Sequence, residues 1–542
     1  MLTSIAASTG NIYVDGWGLI ANPLTLLLIL LSVLVGMAVG AIPGLTANMA
    51  VAVLVPLTFT LEPATAIAVL AGIWLGALYG GTIPAVLINM PGTPADMMTT
   101  LDGYPMSRRG EAGRAIGIGV LASFTGGTIS VLVLGLAGPA LASVAQNFGS
   151  AEYFAIAVMG LSVIAFVSGK SMAKGLASAL IGLLIGVVGR DIISGQPRLT
   201  FDEPQLLGGF GFIAVVVGIF GLSEVLEQIY KRQHKLAPEP QRIKNVLTAF
   251  KDVWPLRGVL LRSSAIGTVV GAAPGAGPTI ASILSYGTQK QISKKPELMG
   301  KGAPEGVAAS DSANNAASGG GMLTMLSLGI PGDALTAILL GALVVQGIQP
   351  GPLLFSSEPQ LVSAIFISMM IANVCLLLVG LFGARYLAKV LDVPRALLYS
   401  GIALACIIGT FAVRGSAFDV LVMFAFAILG FTFSRLGIPK APLVLAVILG
   451  PILEENLRRM LQLQDGDLLA VATDLVTSPI AAPILLITIL LFFLPGIRAL
   501  RRRNALMRTS PTSKSAGNST STDTSKNTDT SKSTDTSTGA DQ

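Results

Sequence analysis

The sequence predicts an all-α polytopic membrane protein made of two inverted repeats with broken helices, the second arms forming crossings or re-entrant hairpins. Three observations predict it: a composition too poor in charge for a soluble fold, a succession of apolar segments of bilayer length, and Pro-Gly breaks that recur at nearly constant offset. Of 542 residues, 52% are hydrophobic and 12% charged, where an ordinary soluble chain carries about 25% charged residues. So little charge does not cover a soluble surface, which excludes a cytosolic globular enzyme. Dominant disorder is excluded as well, because it needs low hydrophobicity. The two cysteines, Cys375 and Cys406, sit inside apolar runs, which excludes a disulfide scaffold and reads as two small buried hydrophobes.

A crossing helix takes about 20 apolar residues. In order, the candidates are 19–40, 64–90, 115–145, 151–168, 172–190, 206–229, 257–273, 319–347, 360–388, 395–413, 416–434, 439–453 and 479–495. Two shorter pieces, 46–61 and 276–289, each follow a Pro-Gly break. No Lys or Arg precedes Arg108, so the start lacks the basic region of a signal peptide and 19–40 reads as a retained span.

The net charge of +6 comes from short basic clusters between the spans. That pattern controls topology and gives no sign of a nucleic-acid surface. Lys231, Arg232, Lys235, Arg242, Lys244, Lys251 and Arg257 mark a cytoplasmic linker, and Arg498, Arg501, Arg502 and Arg503 a cytoplasmic tail. If 46–61 and 276–289 cross, the clusters Arg108/Arg109/Arg114 and Lys290/Lys294/Lys295/Lys301 also fall inside, and the N-terminus falls outside. The expected organisation is a periplasmic N-terminus (1–18), a first membrane repeat (19–230), a basic linker (231–256), a second membrane repeat (257–497) and a tail (498–542). From residue 509 the tail is Ser, Thr, Asp and Lys with almost nothing apolar, and such a segment does not bury enough surface to fold.

The internal repeat is the most informative feature. Gly40-Ala41-Ile42-Pro43-Gly44 is echoed by Gly271-Ala272-Ala273-Pro274-Gly275, an offset of 231. Gly80-Gly81 followed by Pro91-Gly92 is echoed by Gly320-Gly321 followed by Pro331-Gly332, an offset of 240. In hydrocarbon an unpaired backbone group costs several kcal/mol, so an unwound segment at membrane depth must be buried in protein or line a cavity. Carriers place such broken helices in corresponding positions of two halves, at the substrate and ion site. Freed N–H groups at a helix start favour an anion and freed carbonyls favour a cation.

Polar residues gather at the same breaks, where they are expensive and mark a pathway. The candidate substrate-binding set is Pro43, Gly44, Thr46, Asn48, Pro274, Gly275, Gly277, Thr279, Asn314 and Asn315. The candidate ion-binding set is Asn89, Pro91, Gly92, Thr93, Asp311, Gly329, Pro331 and Asp333. Asp96 and Ser282 stand near the breaks too, although a hydroxyl such as that of Ser282 equally bonds back to its own helix. The rows Gly36/Gly40/Gly44 and Ala68/Gly72/Gly76/Gly80 read as close helix packing.

The residue supply limits the chemistry. The sole histidine, His234, lies in the basic linker and reads as solvated. There is no His/Cys metal cluster and no bound cofactor is expected. Ser168-Gly169-Lys170-Ser171 resembles the end of a phosphate-binding loop, but Ile164 stands where that loop needs glycine.

These stretches resemble the large membrane subunit of the tripartite tricarboxylate transporters, the TctA family, over roughly residues 15–500. The resemblance rests on Gly40 through Thr46; Tyr79-Gly80-Gly81-Thr82 through Asn89-Met90-Pro91-Gly92-Thr93-Pro94; Leu101-Asp102-Gly103-Tyr104-Pro105-Met106 with Arg109-Gly110-Glu111-Ala112; Gly271 through Gly277; Glu305 through Ala309; Ala313-Asn314-Asn315-Ala316; and Leu328 through Gly332. Where the family has Pro-Glu before the Asn pair, this chain has Ser310-Asp311, a carboxylate one methylene shorter. The resemblance implies a secondary transporter of the bacterial inner membrane with an elevator-like movement. It implies a small TctB-like membrane subunit and a periplasmic TctC-like binding protein as partners, and carboxylate substrates such as citrate. For the coupling ion, the lack of a membrane histidine and the supply of carbonyl, Asn, Thr and Ser oxygens favour sodium over protons. The alternatives are an intramembrane enzyme, for which no catalytic set is present, and an ion channel.

Overall fold

The computed structural model describes residues 14–167, 171–191, 193–231, 243 and 246–490. The first residues of the N-terminus, most of Ser168–Ser171, His234 with most of the basic linker, and the whole 498–542 tail lie outside the described residues. The described residues all belong to one compact unit.

The architecture is all-α apart from a two-residue antiparallel ladder, Gly189–Arg190 with Pro197–Arg198. The first half runs α1 (Pro23–Ala41), α2 (Ala47–Leu54), α3 (Pro63–Gly80), α4 (Thr82–Ile88), α5 (Met97–Arg108) and α6 (Ala112–Ala145). Next come α7 (Ser150–Val167), α8 (Met172–Val187) and α9 (Phe212–Lys231), whose turns widen to π spacing over Val217–Leu222. The second half runs α10 (Arg257–Ala272), α11 (Gly277–Ile292), α12 (Pro304–Leu328), α13 (Ala334–Val345) and α14 (Pro359–Leu387), followed by α15 (Arg395–Arg414), α16 (Ala417–Leu436) and α17 (Ala441–Leu463).

Among the described residues seven helices are long and apolar enough to cross a membrane, with an eighth if the bent pair Leu468–Thr477 and Ala481–Leu490 is one span. The protein is therefore a multi-pass membrane protein. Hydropathy predicts more spans: the helices within 151–168 and 172–190 are apolar but fall short of a crossing, and 319–347 differs for a structural reason. The expected span 319–347 is two helices, α12 and α13, broken at Gly329 (φ +72°) through Asp333. Helix α12 begins at Pro304, well before the apolar run, and is buried from Gly306 through Ser327. Its neighbours are protein rather than lipid, so it has no need to be greasy. Small residues let it approach α6 and α10 closely: Gly126 faces the Ser312 carbonyl and Gly267 the Ala313 carbonyl.

The glycine rows pack α1 against α3. A Cβ on Gly36 would lie 2.2 Å from the Ile73 carbonyl oxygen, one on Gly40 2.3 Å from that of Ala77, and one on Gly80 2.4 Å from that of Met37. The same approaches recur in the second half. There Gly267 meets Ala313, Gly271 meets Ala317 at 2.2 Å and Gly320 meets Thr268 at 2.1 Å. Every partner keeps the sequence offset of 231 or 240. The row does not extend to Gly44, whose neighbour is the Gln228 side chain.

Asp102 ties the halves together. Its buried carboxylate accepts the N–H groups of Gly300 (2.9 Å), Gly302 (2.7 Å) and Ala303 (2.7 Å) and the Tyr286 hydroxyl (2.8 Å). Arg109 donates to the Gly302 carbonyl at 2.6 Å. Outside the spanning helices, Asp191 accepts N–H groups of Ser194 and Ile193 and pairs with Arg458 at 2.8 Å. The Ser194 backbone, together with those other donors, holds its carboxyl below the usual carboxylate range. Its stabilising contribution is complete above a pH of about 4 and fades as the pH falls through its own lower value.

Asp102→Ala strands three backbone donors, each worth about 1–3 kcal/mol when left unpaired, and is expected to lower the melting temperature in detergent sharply. Tyr286→Phe removes one bond, costs about 1 kcal/mol and shifts the melting temperature little. Thermal melts of the two variants, read against the wild type, check the order.

Candidate functional site

Each break ends a helix on one side and starts another on the far side. After α1, Pro43 stops the helix and Gly44 (φ +95°) turns the chain. Thr46 then caps α2, its hydroxyl accepting the Met49 N–H at 3.2 Å. The Gly44 carbonyl accepts from the Gln228 side chain at 2.8 Å. After α10, Gly275 (φ +81°) and Gly277 (φ +59°) turn the chain into α11, and the Gly275 N–H donates to the Gly332 carbonyl. These left-handed angles favour glycine.

The second pair of breaks is built alike. Asn89 (φ 57°) and Gly329 (φ +72°) take equivalent left-handed positions at the ends of α4 and α12. A Cβ on Gly92 would lie 2.1 Å from the Gly40 carbonyl oxygen and 2.4 Å from the Gly81 Cα. One on Gly332 would lie 2.5 Å from the Gly271 carbonyl oxygen and 3.2 Å from the Gly321 Cα. The helix starts that follow are capped with the chemistry swapped. The Thr93 N–H and hydroxyl donate to Asp96 at 2.8 and 2.6 Å. In the echo, Asp333 accepts the Thr336 N–H and hydroxyl, both at 2.8 Å.

These four helix starts converge on one cavity of about 210 Å³. Thr46, Ala47 and Asn48 reach it from α2, and Thr93, Pro94 and Ala95 from the turn before α5. Gly275 through Thr279 reach it from α11, and Asp333, Ala334 and Leu335 from α13. Leu78, Ala441 and Leu445 complete the wall. A wider space of about 510 Å³ shares Thr46, Asn48, Pro94, Gly275, Ala276 and Thr279. It continues past Phe220, Glu224, Glu227 and Lys440. The Lys440 side chain is 12% exposed, 3.8 Å from both Glu224 and Glu227, and donates to the Ser223 hydroxyl at 2.9 Å. The wide turns of α9 lie just before Ser223 and Glu224, a place where such turns often serve function. The polar part of the wall is helix-start backbone, hydroxyls, the Asn48 amide and the Asp333 carboxylate, the last held by the Thr336 N–H and hydroxyl, over a partly apolar remainder.

Of the candidate substrate residues, Thr46, Asn48, Gly275, Gly277 and Thr279 line this cavity. Pro43, Gly44 and Pro274 shape its breaks from outside the lining. Asn314 and Asn315 lie behind it: the Asn314 amide donates to the Leu78 carbonyl (3.3 Å) and to Asp96 (3.2 Å). Of the candidate ion residues, Thr93 and Asp333 line the same cavity, whereas Asp311 sits deeper, accepting from Thr82 and Thr99. Asn89 is exposed, and Pro91, Gly92, Gly329 and Pro331 form the breaks themselves. Ser282 bonds to Ser310 at 2.8 Å rather than back to its own helix. Among the described residues no three His, Cys, Asp or Glu gather in one place.

Sequence reasoning missed Glu224, Glu227 and Lys440. Their signal was present: charges at the edges of the apolar runs 206–229 and 439–453, which membranes rarely tolerate without purpose.

The chain matches the tripartite tricarboxylate transporter TctA family over residues 26–445. An uncharacterised 52.8 kDa protein of the TAR-I ttuC' 3' region of Agrobacterium vitis is 39% identical over 483 residues, covering 89% of this chain and 95% of that protein. An uncharacterised protein of the TAR-II ttuC' 3' region of the same organism is 40% identical over 238 residues, covering 43% of this chain and 97% of its own. No solved structure matches the chain. A match over most of its length, on the segments that build the four breaks, makes the chain a member of the tripartite tricarboxylate transporter TctA family, a family of transporters rather than enzymes.

Proposed function

We propose that the protein is the large membrane subunit of a binding-protein-dependent secondary carrier of the bacterial inner membrane. It takes up citrate-like tricarboxylates or dicarboxylates by symport with a cation, sodium in preference to protons. A TctC-like periplasmic protein delivers the ligand and a TctB-like small membrane subunit completes the assembly. The observation that carries the reading is the convergence of four helix starts on one cavity. A helix start stabilises a nearby anion by about 0.3–1 kcal/mol when exposed and up to about 2 when partly buried. Four such ends turn their positive poles toward one place, where the caps at Thr46, Asp96 and Asp333 take one N–H group each and the remaining first-turn groups are the donors for the anion.

In this reading Thr46, Asn48, Gly275, Gly277 and Thr279 hold the carboxylate, with Thr93 and Asp333 on the opposite wall. Lys440 at the mouth draws the anion in while loosely paired with Glu224 and Glu227. The matched glycine contacts of the two halves support two repeats, and the basic clusters support their inversion, with the N-terminus periplasmic and the tail cytoplasmic. Inverted repeats provide two equivalent conformations open to opposite sides, and an elevator-like movement of the broken helices exposes the cavity alternately.

Reconstituted with both partners, the protein is expected to take up labelled citrate only when a cation gradient is imposed, without ATP. Uptake that continues undiminished without sodium or proton gradients, and stops when ATP is withdrawn, would overturn the reading. Saturation at low substrate separates a carrier from a channel.

Gly44→Val and Gly275→Val place a branched side chain at positive φ, Gly44 directly against the Gln228 amide. Both are expected to abolish uptake while the protein still reaches the membrane. Lys440→Gln is expected to raise the KM for the carboxylate about tenfold, the loss of one charged hydrogen bond, with a smaller change in kcat. An unchanged KM would remove Lys440 from the substrate path.

A further inference from the structure

Behind the cavity lies a second polar place. Asp96, at the start of α5, and Asp311, in the middle of α12, are both 0% exposed and come from opposite halves of the chain. Asn314, three residues after Asp311, reaches across and donates to Asp96 at 3.2 Å. The other donors to the pair are also neutral: the Thr93 N–H and hydroxyl to Asp96, the Thr99 hydroxyl at 2.6 Å and the Thr82 hydroxyl at 3.1 Å to Asp311. Among the described residues no Lys or Arg forms an ion pair with either carboxylate. Two carboxylates in a protein interior without a cation are strongly disfavoured.

Acceptors are left over at the same place. The Asn314 side-chain oxygen has no hydrogen-bond partner, nor has either side-chain atom of Asn315, although the two residues are 1% and 0% exposed. The Asn314 oxygen belongs to the amide whose nitrogen touches Asp96. Asn315 lies one turn beyond Asp311 on the same face of α12. Neighbouring helices make room for the carboxylates with glycine: a Cβ on Gly81 would lie 1.8 Å from an Asp96 oxygen, and one on Gly119 2.5 Å from an Asp311 oxygen.

We propose that Asp96, Asp311 and the side-chain oxygens of Asn314 and Asn315 bind one dehydrated sodium ion between the two halves of the chain, behind the carboxylate cavity rather than in it. All the ligands are hard oxygens, which suit such a cation. A shared proton would neutralise a carboxylate but leave the amide oxygens without a partner. The site touches the cavity through two residues. Thr93 lines the cavity and donates to Asp96, and Leu78 lines it and accepts from Asn314. Filling the site fixes the helix start at Thr93 in place. As the coupling device this rests on the carrier reading; as a binding site it stands alone.

The test uses the purified full chain in nanodiscs, without partners or carboxylate, and reads binding of radioactive sodium and the melting temperature as sodium replaces choline. Saturable binding and a sodium-dependent rise in melting temperature are expected, both lost in Asp96→Asn and Asp311→Asn. Asn315→Ala keeps both carboxylates and carries the test if those variants fail to fold; it is expected to weaken sodium binding about tenfold, the loss of one buried ligand. Wild-type protein indifferent to sodium, or sodium binding unchanged in Asn315→Ala, overturns the proposal. Stability that follows pH but not sodium assigns the pair a proton and overturns it equally. Because no carboxylate is present, such a failure leaves the cavity reading intact. Failed uptake with intact sodium binding would count against the cavity reading instead.

Discussion

Everything in this protein follows from where unwound backbone is kept. A break in a membrane helix exposes N–H and C=O groups that hydrocarbon does not satisfy, so each break has to be enclosed by other helices at very short range. The glycines make that range available. Gly40, Gly81 and Gly92 meet at one break, and Gly271, Gly321 and Gly332 meet at its echo; a Cβ on Gly92 would clash with both Gly40 and Gly81, and one on Gly332 with the Gly271 carbonyl. Two backbone bonds help to close the breaks: the Gly92 N–H donates to the Gly81 carbonyl at 3.3 Å, and the Gly275 N–H to the Gly332 carbonyl. The breaks are thereby locked onto one another, and the helices that leave them point their first turns at a common space.

Local order then becomes chemistry. A cavity lined by helix starts presents donors that are already oriented, so an anion entering it meets groups that need no rearrangement. The two capping boxes add a difference between the halves. Thr93 with Asp96 and Asp333 with Thr336 occupy the same relative positions with the carboxylate exchanged. One carboxylate, Asp333, lines the cavity, and the other, Asp96, lies outside the lining and accepts from the Asn314 amide. A repeat that is nearly symmetric in backbone is thus asymmetric in where its carboxylates lie.

Much of this was legible in the sequence, and what was not has physical reasons. The breaks were visible because Pro-Gly inside an apolar run is conspicuous, and their pairing because the offsets hold to nine residues. The convergence of Thr46, Asn48, Gly275 and Thr279 followed from treating the halves as equivalent. Hydropathy marks only the apolar end of α12 from residue 319, because the helix is buried in protein from Gly306 through Ser327 and its Ser, Ala, Asn and Gly residues are small enough for close helix approach rather than greasy. The proximity of Asp96 to Asn314 and the pairing of Lys440 with Glu224 bridge long stretches of chain, and no local pattern announces them.

The central claim is that the carboxylate is held by backbone N–H groups at the four helix starts. The most direct measurement is a cryo-electron microscopy map of the protein in nanodiscs with citrate at saturating concentration. The account predicts ligand density inside the cavity, with a carboxylate within hydrogen-bonding reach of the first turn of α11, at Gly277 and Thr279, and of Thr46. Citrate resolved elsewhere, with the four helix starts closed over an empty or lipid-filled space, would contradict it.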